Sequence, residues 1–324
     1  MRKRCWLPLI LPVPWCDQPD GPGEDQGAIM KERIGFVGLG MMGHGIASNI
    51  LKNKYPLTGL VHRSRDGLED LLKHGASEAF SISELVEASD IVFFCVTGAQ
   101  EVETLVYGEN GVLENSKPGL ILVDCSTSNP ALSIRIAKDL FDQQARFVDA
   151  PVTRAPKDAE AGRLNSLVGA EKVIFEKIRP LLECYSEHIA YFGLPGSGHS
   201  AKLINNFISC GYTALISEGL SMCFKAGVDA QVLYEVMSSG GADSGVLRKM
   251  VPPLLQGDLT GHKFSLANAC KDVRYFKDFA ESQGFESYLV GSLLSTYQAA
   301  VDAGLGDKLM ASLLELHGSI PEKK

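Results

Sequence analysis

The chain has 324 residues, 45% of them hydrophobic and 22% charged, with a formal net charge of −8 and a pI of about 5.4. That length suggests about two domains, each able to bury its own core, and the acidic balance argues against nucleic-acid binding as the main activity. The eight cysteines are scattered, with no CxxC pair and no His/Cys cluster at zinc spacing; this predicts no metal site and reduced core thiols suited to the cytoplasm.

Residues 1–30 stand apart. A basic start, Met1–Arg4, leads into an apolar stretch broken by Pro8, Pro12 and Pro14, with no small-x-small cleavage site after it. Residues 17–27 are rich in Asp, Gly and Pro. The expectation is a disordered or non-native extension, and neither a signal peptide nor a mitochondrial presequence. No apolar run reads as long enough to cross a membrane.

From Arg33 an apolar run of strand length enters Gly38-Leu39-Gly40-Met41-Met42-Gly43, and a helical pattern follows from Gly45. A lone GxGxxG is a weak signal, but between strand and helix each glycine has a task. Gly38 permits the turn, Gly40 lets the backbone approach a pyrophosphate, and Gly43 lets the helix pack close. The free N–H groups of the helix start face the phosphates. The next strand, Leu57–Val61, ends in His62-Arg63-Ser64-Arg65, with no carboxylate for a free ribose 2′-hydroxyl. Arginines there suit a 2′-phosphate, so NADP is favoured over NAD.

Strands expected at 90–96, 120–124 and 146–149 alternate with helices at 67–74, 82–88, 100–107 and 130–143, which means a parallel sheet covered on both faces. Ligands sit at the carboxyl ends of such strands, which marks Val96, Thr97, Ser126 and Thr127 as cofactor neighbours; Cys125 between them reads as a buried thiol. A strand at 164–168, a helix at 171–184 and a strand at 188–192 extend the sheet. The fold class is therefore α/β, a Rossmann-type doubly wound, mostly parallel sheet (31–195), followed by an all-α domain (196–320). Helices there are expected at 200–226, 229–238, 246–255, 266–283 and 288–303, with a last one from Asp307, separated by glycine-rich breaks.

The loop Gly196-Ser197-Gly198 opens the first of these helices, with Lys202 one turn in and Asn205 and Asn206 three and four residues further on. Ala201, Leu203 and Ile204 give Lys202 an apolar setting that lowers an amine pKa, fitting it to exchange a proton with an alcohol. A lysine that merely reaches solvent is the bland alternative. His44 and His199, without an acid partner identifiable in sequence, read as loop residues.

With Asp149-Ala150-Pro151-Val152-Thr153-Arg154 and Lys271-Asp272 added, four ordered motifs make the chain resemble the β-hydroxyacid dehydrogenases from Met30 to about His317. The resemblance implies that Lys202 is the catalytic acid/base, that Asn206 and Asn205 bind substrate or orient it, that Thr153 donates to a substrate carboxylate, and that Thr127 and Lys271 lie at the cofactor. The family's usual strip reads DAPVSGG; here Thr153-Arg154-Ala155 replaces its end. Arg154, Asn205 and Ser209 resemble the pocket of a sulfonate-reducing branch and would hold a distal anion, unless Arg154 faces solvent or pairs with Asp158. The implied activity is interconversion of a small 3-hydroxy acid and its semialdehyde with NAD(P). Alternatives are reduction of 3-sulfolactaldehyde or succinic semialdehyde, imine reduction, or an inactive nucleotide-binding module. The implied partners are a small anionic substrate and further copies of the chain, as a homodimer or homotetramer through the helical domain, with neither nucleic acid nor membrane.

Overall fold

The computed structural model describes residues 31–61 and 64–318. In chain order the elements are β1 (Ile34–Val37), α1 (Gly43–Lys52), β2 (Leu57–Leu60), α2 (Asp66–Lys73), β3 (Ser77–Ala79), α3 (Ile82–Ala88), β4 (Ile91–Phe94), α4 (Ala99–Tyr107), β5 (Ile121–Asp124), α5 (Pro130–Asp142) and β6 (Arg146–Asp149). There follow β7 (Val152–Thr153), α6 (Pro156–Glu160), β8 (Leu164–Gly169), α7 (Lys172–Glu183), β9 (Ser186–Gly193) and α8 (Ser197–Lys225). The chain closes with α9 (Ala230–Ser238), α10 (Gly245–Leu255), α11 (Leu266–Ser282), α12 (Val290–Ala300), a π-helical turn (Val301–Leu305) and a 3-10 helix (Met310–His317).

The sheet runs β3-β2-β1-β4-β5-β6-β8-β7, with β9 also on β8. From β3 to β6 every pairing is parallel; β8 runs antiparallel to β6 and β7, and β9 runs parallel to β8. Period-two alternation distributes the strand side chains between two cores. Ile34, Phe36, Phe93 and Val123 enter one with Ile46 and Ile50 of α1, while Val37, Val92, Phe94 and Leu122 enter the other with Leu85 and Leu140. The polar side chains that start helices do so by capping: Ser81 accepts from the Glu84 N–H and Asn129 from that of Ala131, where Pro130 needs no donor.

The long α8 carries the helical half. Its Leu203 and Cys210 pack with Val273, Phe276 and Tyr297, and its Ile216 and Leu220 with Leu247, Met250 and Leu254. By length and composition α8 is long and apolar enough to cross a bilayer, contrary to the sequence expectation. Here it is the central helix of two cores, flanked by β8, α11 and the 3-10 helix.

Four short features escaped the sequence pattern. β3 and β7 have three and two residues and α6 has five, too few for a period to show. The last helix is of 3-10 type, preceded by the π turn, where Gly304 takes a φ of 78°. α8 also starts at Ser197, three residues earlier than expected.

Candidate active site

The dinucleotide loop is built as its glycines require. Gly38 has a φ of 94°, and a Cβ on Gly43 would stand 1.9 Å from the Gly38 carbonyl oxygen. A Cβ on Gly40 would meet nothing within 4 Å, so this stretch of backbone opens onto space that a pyrophosphate can occupy. Met41 beside it is 80% exposed, and Leu39 and Met42 pack inward against the core. These residues fit a dinucleotide.

At the end of β2, His62 and Arg63 lie outside the described residues. Ser64 Oγ donates to Asp66 Oδ2 at 3.2 Å, and the Arg65 guanidinium grips Glu78 through two bonds of 2.8 and 3.0 Å. Arg65 is thus turned to β3, and Asp66 brings a carboxylate to a place where the sequence reading saw only cations.

On the opposite side of β1, the ends of β4 and β5 are tied together. The Val96 N–H donates to Ser126 Oγ at 2.9 Å, and the Ser126 N–H to Asp124 Oδ1 at 2.9 Å. Thr97 is exposed and Thr127 half-buried beside them. Burial drives the Cys125 thiol pKa well above its ordinary value, which makes it inert. Lys271 and Tyr275 of α11 close over Gly98: a Cβ there would be 2.8 Å from the Tyr275 hydroxyl and 3.2 Å from Lys271 Cδ, and the Ala99 N–H donates to that hydroxyl at 3.1 Å.

Lys202 Nζ donates to the Val152 carbonyl oxygen at 2.8 Å, which places the amine on the strip after β6. Burial lowers its pKa; Lys271 adds to the fall and Asp272 opposes it. Next to it a polar chain runs into α11. Asn205 Nδ2 donates to Asn206 Oδ1 at 3.0 Å, Asn206 Nδ2 to Asp272 Oδ2 at 2.6 Å, and Lys271 Nζ to Asp272 Oδ1 at 2.6 Å. Asp272 is 1% exposed and occupies both oxygens in this way. It was read only as the partner letter of Lys271; its role as anchor of Asn206 needed the fold.

Thr153 Oγ1 receives a 2.9 Å bond from Asn165 Nδ2 on β8. The sequence reading missed Asn165, whose buried Oδ1 has no partner. Ser209 Oγ turns back to the Asn206 carbonyl at 3.2 Å, satisfied within its own helix. Arg154 is an exposed residue, but it does not pair with Asp158. Its guanidinium pairs with Glu187 of β9 and donates to the Arg163 carbonyl at 2.6 Å, while Asp158 pairs with Arg163. Its backbone takes a φ of 86°, the left-handed conformation that the glycine usual at this position adopts freely.

Both histidines have acid neighbours, which corrects the loop reading. His44 Nδ1 contacts Glu160 Oε1 at 2.9 Å and Nε2 contacts Asp70 Oδ2 at 3.0 Å. Burial works to lower its pKa, but hydrogen bonds to Glu160 and Asp70 outweigh it and raise the value. His199 is fully buried, 3.8 Å from both Asp124 and Asp149. Asp149 takes the place of a helix cap: Oδ1 accepts the Gly196 N–H and Oδ2 the His199 N–H, each at 2.7 Å, where Gly196 itself offers no side chain. Cβ atoms on Gly169 or Gly198 would come within 3 Å of this carboxylate, so those glycines make its seat.

Two family models cover the described fold. One, the NAD binding domain of 6-phosphogluconate dehydrogenase, matches residues 33–193; the other, the NAD-binding domain of NADP-dependent 3-hydroxyisobutyrate dehydrogenase, matches 196–317. The chain is 30% identical to mouse mitochondrial 3-hydroxyisobutyrate dehydrogenase, with 88% of this chain and 87% of that protein covered. The chain belongs to the β-hydroxyacid dehydrogenase family. Another member, glyoxylate/succinic semialdehyde reductase 2 of Arabidopsis thaliana, is 30% identical over 87% of this chain and 78% of its own length. The solved Mycobacterium tuberculosis 3-hydroxyisobutyrate dehydrogenase shares the fold, with a TM-score of 0.80 at 23% identity over 90% of this chain and 100% of that one. The family is one of NAD(P)-dependent hydroxyacid and semialdehyde oxidoreductases, so the Rossmann sheet, the helical half and a nicotinamide cofactor follow from membership.

Proposed function

We propose that this dehydrogenase interconverts a short 3-hydroxy acid and its semialdehyde, with Lys202 as the general acid/base. The observation that carries this is the half-buried amine of Lys202, held on the Val152 carbonyl with a lowered pKa, next to the Asn206–Asp272–Lys271 chain. One of its three N–H donors is occupied by Val152, so the others can address a substrate oxygen. In reduction the ammonium gives a proton to the carbonyl oxygen; in oxidation the neutral amine accepts the hydroxyl proton. A bound nicotinamide supplies or receives the hydride. Asn206, fixed by Asp272, orients the reacting oxygen, and Thr153, fixed by Asn165, donates to the carboxylate. Gly38–Gly43 hold the pyrophosphate and Lys271 lies over the β4 end. NADP is the favoured cofactor because no acid stands at the end of β2 itself; a 2′-phosphate would have to draw Arg65 from Glu78 and Ser64 from Asp66.

Arg154 supports the shorter substrate. Its guanidinium is committed to Glu187 and the Arg163 carbonyl, so a distal anion would have to displace both. The exposed apolar residues Ile204, Ile208, Leu215 and Met222 of α8 support assembly into a homodimer or homotetramer through the helical half. The free cysteines fit a cytoplasmic setting.

The test is NADPH and NADH oxidation by purified protein with methylmalonate semialdehyde, tartronate semialdehyde, glyoxylate, succinic semialdehyde and 3-sulfolactaldehyde, repeated with Arg154→Gly. Preference for the short monocarboxylates, indifferent to Arg154→Gly, is the expected result. A preference for succinic semialdehyde or the sulfonate that Arg154→Gly abolishes sinks this reading and makes Arg154 the distal-anion clamp.

A further inference from the structure

His199 lies three residues before Lys202 on α8 and touches neither Lys202 nor the Asn206 chain in any bond described above. Its ring is nevertheless the joint of three elements. Nε2 contacts the Ser126 carbonyl oxygen at 3.1 Å, and Nδ1 contacts Ser133 Oγ of α5 at 2.7 Å. Its own backbone N–H is fixed by Asp149 at the end of β6. A carbonyl oxygen only accepts, so Nε2 carries a proton. The side chain is 0% exposed, so this bond is made without competition from water.

The partner on the sheet gives the bond its meaning. Ser126 is the second residue beyond β5, and its hydroxyl accepts the Val96 N–H from the end of β4. The pyrophosphate loop leaves β1, and the residues after β2 face the adenosine side. The other half of a dinucleotide therefore extends over β4 and β5, on the far side of β1. His199 thus connects the helix that carries Lys202 to the strand ends that receive the nicotinamide half.

We infer that His199 is a positioning residue for the nicotinamide half of the cofactor. Its Nε2–H tautomer holds the Ser126 backbone, and through it the Val96–Ser126 floor, in register with the first turn of α8. The inference rests on the reading that a nicotinamide cofactor lies across these strand ends, and it is independent of the substrate.

The test compares whole cofactor with half. Dissociation constants are measured by calorimetry for NADPH and for 2′,5′-ADP, which lacks the nicotinamide end, in the wild type, His199→Leu, His199→Gln and Ser133→Ala; NADH and ADP replace the pair if NADH binds more tightly. His199→Leu is expected to weaken NADPH about tenfold, the scale of one lost hydrogen bond with its buried acceptor, and to leave 2′,5′-ADP within about twofold. His199→Gln, whose amide can still donate to Ser126, restores most of the difference. A ring that only supports the fold lowers both affinities together, and that outcome, or an unchanged NADPH affinity, overturns the inference. Should His199→Leu not fold, Ser133→Ala, which removes the partner of Nδ1, carries the comparison: weaker NADPH with 2′,5′-ADP unchanged is expected, and both affinities falling together, or neither, overturns the inference. Nitrogen-15 histidine spectra of the ligand-free wild type give a readout without cofactor: a buried ring protonated at Nε2 is expected, and one protonated only at Nδ1 refutes the assignment. If wild type binds cofactor but turns over none of the aldehydes, the proposed substrate fails while the affinity comparison still decides the role of His199.

Discussion

Lys202 Nζ and the carbonyl of Val152 are joined by a 2.8 Å hydrogen bond that crosses from α8 to the strip after β6. The bond fixes the amine at the substrate strip instead of leaving it to seek water. Lys202→Ala is expected to cut kcat by about 10²- to 10⁴-fold, the usual share of a general acid/base, with the Kd for NADPH within about twofold of wild type. Lys202→Arg keeps the charge but cannot release its proton at working pH, so it serves neither as the acid in reduction nor as the base in oxidation, and activity should fall in both directions. Steady-state kinetics in both directions check this; full activity in Lys202→Ala rejects the mechanism.

Gly40 and Gly43 are expected to respond oppositely. A Cβ at Gly40 points into open space, so Gly40→Ala should leave the melting temperature of the ligand-free protein near wild type while weakening cofactor binding by tenfold or more, on the order of the one to two kcal/mol lost when a close backbone contact is blocked. A Cβ at Gly43 would sit 1.9 Å from the Gly38 oxygen, so Gly43→Ala should lower the melting temperature even without cofactor. Calorimetric scans with and without NADPH separate the two effects.

Asp149 is buried, and burial raises its pKa despite the Gly196 and His199 N–H groups and the nearby His199 ring, which act to lower it. Asp149→Asn keeps the shape but sets an NH₂ group against one of two N–H donors, which costs about 1–3 kcal/mol. In a chain of this size that is a fall of about 1.5–4.5 °C in melting temperature. Asp149→Glu should be worse, because Gly169 and Gly198 leave no room for a longer side chain. An Asn variant that melts with the wild type would show that the cap contributes little.

His44 links stability to pH. Its folded pKa is raised above the ordinary 6.5 by Glu160 and Asp70 after burial has been overcome. The stabilisation is therefore full below about pH 6.5, while the carboxylates remain ionised, and is lost as pH rises through the folded value. The melting-temperature gap between wild type and His44→Asn should be largest near pH 6 and shrink by about pH 8.5. A gap that widens with pH contradicts this sign.

Much of this site can be read without coordinates, for definite reasons. Gly38 and Gly43 are legible because backbone geometry admits no other residue there, Gly40 because a side chain would fill the space left for a pyrophosphate, and Lys202 because a glycine loop and an apolar helix frame it. Local sequence did not show the long-range partners. Asp149 and His199 are 50 residues apart, Asn206 and Asp272 are 66, and Glu187 meets Arg154 across a strand pairing that no periodicity announces. Arg154 shows the limit most clearly. Its charge was readable, but its direction was decided by a neighbour on β9.

The contact between α1 and α6 limits how this scaffold can be redesigned. A Cβ on Gly45 would lie 2.6 Å from the Ala159 carbonyl carbon, and Asn49 Nδ2 bonds the Ala159 carbonyl at 2.8 Å, so the two backbones are in direct touch. The helix that begins at the phosphate loop and the segment that follows the substrate strip are locked at one distance. Libraries aimed at new specificity can vary positions 154 and 157, whose side chains are exposed. Insertions between 153 and 162 would push α6 away from α1, and a gain in pocket size by that route would come at the expense of cofactor retention.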